Sequence, residues 1–141
     1  MQDCYAGDIG DYGKFAFLRE LHEQGLSIGV NWYKTDASVS KKQDDGKYCI
    51  PDHLASYDIG LSSRLRKIFH SQDGIVRSIA ALENERFIDG ALYFPEKVPA
   101  DHRNKWHQHA LSKFSGADLV FLDPDCAVDG GGFLLHAVEL L

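Results

Sequence analysis

Two short stretches of this 141-residue chain place side chains of the right kind and spacing for chemistry. The first is Asp123-Pro124-Asp125, at the end of the apolar run ADLVFLD, residues 117–123. In open α/β sheets ligands collect beyond the carboxyl ends of the strands, so a carboxylate released there is aimed into the crevice that holds a substrate. Proline has a fixed φ and no N–H, which presents the two acids on a stiff backbone. Asp123 and Asp125 are therefore the candidate catalytic residues. Two close carboxylates do not both ionise cheaply, so one pKa should rise unless a cation or donor intervenes. The competing reading is a plain turn or helix cap, which is also ordinary Asp-Pro chemistry.

The second stretch is Gly7-Asp8-Ile9-Gly10-Asp11-Tyr12-Gly13-Lys14, with glycines at every third position opening a helix. Glycines before a helix N-terminus let backbone amides approach an anion, and the helix dipole favours negative charge there. Gly7, Asp8, Gly10, Asp11, Gly13 and Lys14 are thus candidates for cofactor contact, against the alternative of a purely conformational loop. It is not a P-loop, since Phe15 follows Lys14 where Ser or Thr is needed. The GxxGxxG spacing is also not the dinucleotide fingerprint, and the two acids would repel a phosphate.

A third feature is electrostatic. The net charge is −6, yet Lys97, Arg103, Lys105 and Lys113 face only Asp101 between positions 97 and 113, a local +3 that leaves −9 for the rest. Arg103 and Lys105 are the candidate nucleic-acid contacts, weighed against an ordinary solvated helix surface. His102, His107 and His109 lie in the same stretch but cannot all share one helix face, so solvent exposure is expected of them rather than metal ligation. Trp32 and Tyr33 end an apolar run and are expected in the core, with stacking on a base as the alternative.

The elements that must position these groups follow from periodicity. Residues 11–24 read as a helix with stripe Phe15, Leu18, Leu21, N-cap Asp11 and stop at Gly25. SIGVNWY, 27–33, reads as a strand, and 34–46 as a long polar loop. A brief strand is expected at 47–50, stopped by Pro51. Leu61, Leu65 and Ile68 or Phe69 mark a second helix, and Ile75, Ile79 and Leu82 a third. Ala91–Phe94 reads as an edge strand closed by Pro95. Residues 100–114 form a helix through Trp106, Ala110 and Phe114, and 117–123 is the clearest strand, apolar enough to be buried on both faces.

This alternation predicts an α/β fold, three-layered and Rossmann-like, around a mainly parallel sheet. At 141 residues it makes one domain, or the N-terminal part of a larger one, because a full doubly wound sheet needs further strands. With 44% hydrophobic and 26% charged residues, neither disorder nor a fibrous fold is indicated. No run approaches the ~18 apolar residues of a membrane span, and the start lacks a secretory signal's order, so a bacterial cytoplasmic setting without a membrane partner is expected. Cys4, Cys49 and Cys126 are widely spaced without a CxxC pair, hence free thiols.

GDIGDYGKFAFLREL, GVNWY, RNKWHQHAL and ADLVFLDPD together resemble an uncharacterised family of bacterial and phage-associated proteins, over residues 5 to 125. Family members are usually longer, and their strand ends in a DPDNG-like sequence. This chain departs at Cys126-Ala127 and continues GGGFLLHAVELL, as a shifted reading frame or truncated gene copy would, which implies an inactive product. The strand and acidic-proline turn are also similar to the catalytic turn of class I S-adenosylmethionine-dependent methyltransferases. There Pro-Pro-aromatic follows the acid, whereas Asp125 and Cys126 stand here. LVFLDPDCAV further resembles the haloacid dehalogenase-like nucleophile motif, although Ala127 replaces its usual Thr and the motif normally opens its domain.

Three functions stay open at this point. The leading one is a methyltransferase-like protein using S-adenosylmethionine on nucleic acid, with activity possible only if the truncation spares it. The second is a Mg²⁺-dependent phosphohydrolase or nuclease with Asp123 as nucleophile and Asp125 as acid/base. The third is a non-catalytic binding protein. Substrate and oligomeric state are not specified by the sequence.

Overall fold

The computed structural model describes residues 1–35 and 47–124. Helix α1, Ile9–Glu23, leads through a short turn into β1, Ile28–Asn31. After the segment 47–51 come α2 (Asp52–Ala55), α3 (Ile59–Phe69) and α4 (Ile79–Asn84). Then β2 (Leu92–Tyr93), α5 (Arg103–Lys113) and β3 (Leu119–Leu122) complete the described chain. The result is a small α/β domain with three parallel strands in the order β2-β1-β3. Gly29 is level with Leu92 on one side and Val120 on the other.

Local chemistry sets the helix starts. Asp8, Asp58 and Ser78 each accept the N–H three residues ahead, at 3.1, 2.8 and 3.1 Å, and so satisfy amides that have no intrahelical partner. The N-cap of α1 is therefore Asp8, not Asp11. Position 7 must be glycine: its φ is +80°, and a Cβ there would lie 2.7 Å from the Leu65 carbonyl oxygen, so α1 begins by lying against α3.

The strand period of two sorts β1 between two clusters. Ile28, Val30 and Trp32 are buried with Phe15 and Leu18 of α1 and Leu61, Leu65 and Ile68 of α3. Gly29 faces the other way, where a Cβ would come within 2.6 Å of the Phe114 ring, so the missing side chain lets α5 approach. That second cluster holds Phe94, Trp106, Ala110, Phe114 and Val120. Each fully buried Leu or Phe contributes about 1.5–3 kcal/mol. The stripes at 61, 65, 68 and at 106, 110, 114 thus face inward as their spacing requires.

Two expectations about strands need correction. All four residues of β1 are buried, whereas in β3 Leu119 and Val120 are buried but Phe121 and Leu122 only partly so. The most apolar run lies beside the central strand instead of being it. Residues 47–50 form no strand: Ile50 alone is buried, and the Tyr48 carbonyl accepts from the Ile9 amide (2.9 Å) instead of entering a ladder. Residues 36–46 of the polar loop, and 125–141, lie outside the described residues.

Candidate functional site

A helix joined to the amino end of a strand by a short turn starts at the sheet's opposite edge, so the Gly7–Lys14 segment reaches the carboxyl ends of the strands. Asp123 emerges at the same edge from β3. The two sequence candidates consequently meet, 109 residues apart in the chain: Lys14 Nζ donates to Asp123 Oδ2 at 2.8 Å and to Asp11 Oδ1 at 3.3 Å. The backbone braces this arrangement. Asp123 N–H donates to the Asn31 carbonyl at 2.9 Å, and the Met1 amine donates to the carbonyls of Trp32 (2.7 Å) and Asp123 (3.4 Å).

Asp11 is wholly buried and accepts the Gly7 N–H at 2.8 Å. Burial pushes its pKa up to about 7; Lys14 opposes this, and the negative charges of Asp8 and Asp123 add to it. Burial alone would lower the Lys14 pKa, but the charges and hydrogen bonds of Asp11 and Asp123 outweigh it and hold the ammonium above its ordinary value. The Lys14 ammonium also stands 6.0 Å from the centre of the Trp32 ring. A cation does intervene beside Asp123, and the carboxylate across it is Asp11; Asp125 lies outside the described residues.

The remaining candidates take different places. Asp8 and Gly7 are committed to the helix start, while Gly10 and Gly13 lie within α1. From this segment the Lys14 ammonium meets Asp123, with the Asp11 carboxylate on the far side of that ammonium. Arg103 and Lys105 are exposed in the first turn of α5. The loop before that helix packs beside the end of β1: Val98 N–H donates to the Lys34 carbonyl (2.8 Å), and the Trp106 ring meets Tyr33 edge-on at 5.0 Å. His102, His107 and His109 are exposed, and among the described residues no three His, Cys, Asp or Glu are grouped to hold a metal.

Sequence reasoning missed the burial of Asp11, although a signal exists. Asp11 lies four before Phe15 and seven before Leu18, on the apolar stripe itself, and a carboxylate there must find a partner. It also missed the surroundings of three aromatic residues at the ends of β1 and β2. Tyr33 adopts a left-handed backbone (φ 47°) and its N–H donates to Asn31 Oδ1 at 3.1 Å. Among the described residues the buried Trp32 Nε1 and Tyr93 hydroxyl have no hydrogen-bond partner. Burial, with the charge of Glu83, pushes the Tyr93 pKa up to about 12.

Among the described residues no helix is long and apolar enough to cross a membrane. Comparison with family models, with curated proteins and with solved structures finds no match to the chain.

Proposed function

We propose that this chain is a methyltransferase-like α/β protein whose ligands meet at the carboxyl edge of β1 and β3. The observation that carries the reading is strand order. In β2-β1-β3 the chain moves from β1 to one neighbour and then crosses to the other. Doubly wound, three-layer Rossmann-like sheets bind their ligand at such a reversal. Asp123 is the first residue beyond β3 at that reversal, held there by Lys14.

In this reading S-adenosylmethionine supplies an electrophilic methyl group, and Lys14 is the cation suited to its carboxylate. Asp123 accepts a hydrogen bond from the target amine, which takes the place of Lys14, and so orients the amine lone pair. Arg103 and Lys105 at the start of α5 guide the anionic polymer. Their placement supports a binding role, because two cations in a first turn without an acid work against the helix dipole.

Titration calorimetry with S-adenosylmethionine, with Mg²⁺ and with a single-stranded oligonucleotide tests the reading. The expected result is binding of S-adenosylmethionine and of the oligonucleotide, the second weakened in Asp123→Asn. Oligonucleotide affinity should fall with salt, and charge reversal of Arg103 and Lys105 should lower the log–log slope by about 0.7 per contact. Oligonucleotide hydrolysis with Mg²⁺ and no S-adenosylmethionine binding would replace it with the phosphohydrolase reading. No binding of any of the three leaves the non-catalytic one.

A further inference from the structure

A second cluster of reactive groups lies where the segment before α2 meets the end of α3. Cys49 Sγ is 3.6 Å from His70 Nε2. His70 is the residue that closes α3, and its ring stands edge-on to Phe69 at 5.0 Å between centres. One turn earlier, Arg66 donates to the Ile50 carbonyl and to Asp52 Oδ1 (2.7 Å), which pins its guanidinium against the same segment. Asp52 is the main cause of the raised Arg66 pKa, and the Cys49 sulfur adds to it. Cys49 is half-buried, so the sulfur is both reachable and flanked by a base and a cation.

Beside it runs an open groove of about 510 Å³ whose walls include Arg66, Lys67, His70, Ser56 and Ser63. Among the described residues on those walls Asp52 is the one acid, paired with Arg66, and Lys67 reaches Asp73 at 3.0 Å in an exposed pair that solvent screens. We propose that Cys49 is a reactive thiol that exchanges with small disulfides bearing carboxylates, which this groove seats. His70 Nε2 takes the thiol proton and the thiolate attacks one sulfur of the bound disulfide. A Cys49–sulfur bond forms as the disulfide bond breaks, and the leaving thiolate recovers the proton from His70. Cys49 is oxidised and the small disulfide is reduced, one half remaining on the protein and the other leaving as a thiol.

The test uses the full chain with Cys126→Ser, leaving Cys49 and the more exposed Cys4 to compete for oxidised glutathione at pH 7. Peptide mass spectrometry follows each mixed disulfide with time. Cys49 should react at least about tenfold faster than Cys4 despite its lower exposure, and His70→Gln should bring it down to the rate of Cys4. Lys67→Gln should narrow the preference for oxidised glutathione over the uncharged bis(2-hydroxyethyl) disulfide. The first comparison needs no substitution near the cluster, so it reads the folded protein directly. Cys4 reacting as fast as Cys49, an unchanged Cys49 rate in His70→Gln, or equal rates with charged and uncharged disulfides would each overturn the proposal.

Discussion

Helices α1 and α5 both begin at the carboxyl edge of the sheet, and their first turns are built in opposite ways. In α1, Asp8 caps the backbone, Asp11 is buried in the first turn, and Lys14 ties both the helix and Asp11 to Asp123. In α5 no side chain caps the start, His102 sits in the left-handed region (φ 62°), and the first turn carries cations without an acid. One end is closed and internally compensated, so its charges contribute to the fold. The other is open, so its charges are free of that duty and act outward. How far the protein has neutralised the neighbourhood of a charged residue thus separates charges that hold the fold from charges that act outward.

The widest gap between the two ends should appear on removing cations. Lys14→Met removes the counter-charge of the buried Asp11, which then keeps its proton at neutral pH, and should cost about 1–3 kcal/mol in urea unfolding. Lys14→Met combined with Asp11→Asn should recover most of that loss. Arg103→Met and Lys105→Met should each stay within about 0.5 kcal/mol. Equal costs at the two ends would erase the distinction.

A smaller difference should appear in pH dependence. Because the folded pKa of Asp11 is raised from 3.8 to about 7, the native state holds a proton that the unfolded chain has lost between those values. Its contribution therefore makes stability fall as pH rises through that window, by at most about 1.4 kcal/mol per pH unit. Subtracting the Asp11→Asn profile from that of the wild type should isolate this slope. Arg103→Gln should leave it unchanged, and a flat difference profile would show that Asp11 is ionised throughout.

The smallest pair concerns the caps. Asp8→Ala should lower stability by about 1 kcal/mol. His102→Gly, which relieves a left-handed side-chain residue, should raise it by about 0.5 kcal/mol. Thermal melts of the two variants should move in opposite directions.

The spacing of Leu61, Leu65 and Ile68, and of Trp106, Ala110 and Phe114, was enough to place two helices and their inward faces, because a period near 3.6 is a local property. The meeting of Lys14 with Asp123 was not legible. It depends on a parallel register between β1 and β3 and on α1 starting at the same edge, neither of which any local window contains. Apolarity also misled about burial: LVFL is the greasier strand, yet IGVN is the central one, since a glycine facing Phe114 and an asparagine bonding Tyr33 serve a crowded position better than bulk. The residue type of Asp11 suits a cap, whereas its place on the Phe15–Leu18 stripe points it inward.

The partition of β1 between two apolar clusters also has an optical consequence. The chain has two tryptophans, and each cluster owns one: Trp32 lies with Phe15 beneath Lys14, and Trp106 lies on α5 between Tyr33 and Phe94. The molecule therefore carries one tryptophan on either side of its sheet. Single-tryptophan versions would follow the two layers as separate signals, with Trp32 emission responding to events at the lysine and Trp106 emission to events on the basic helix.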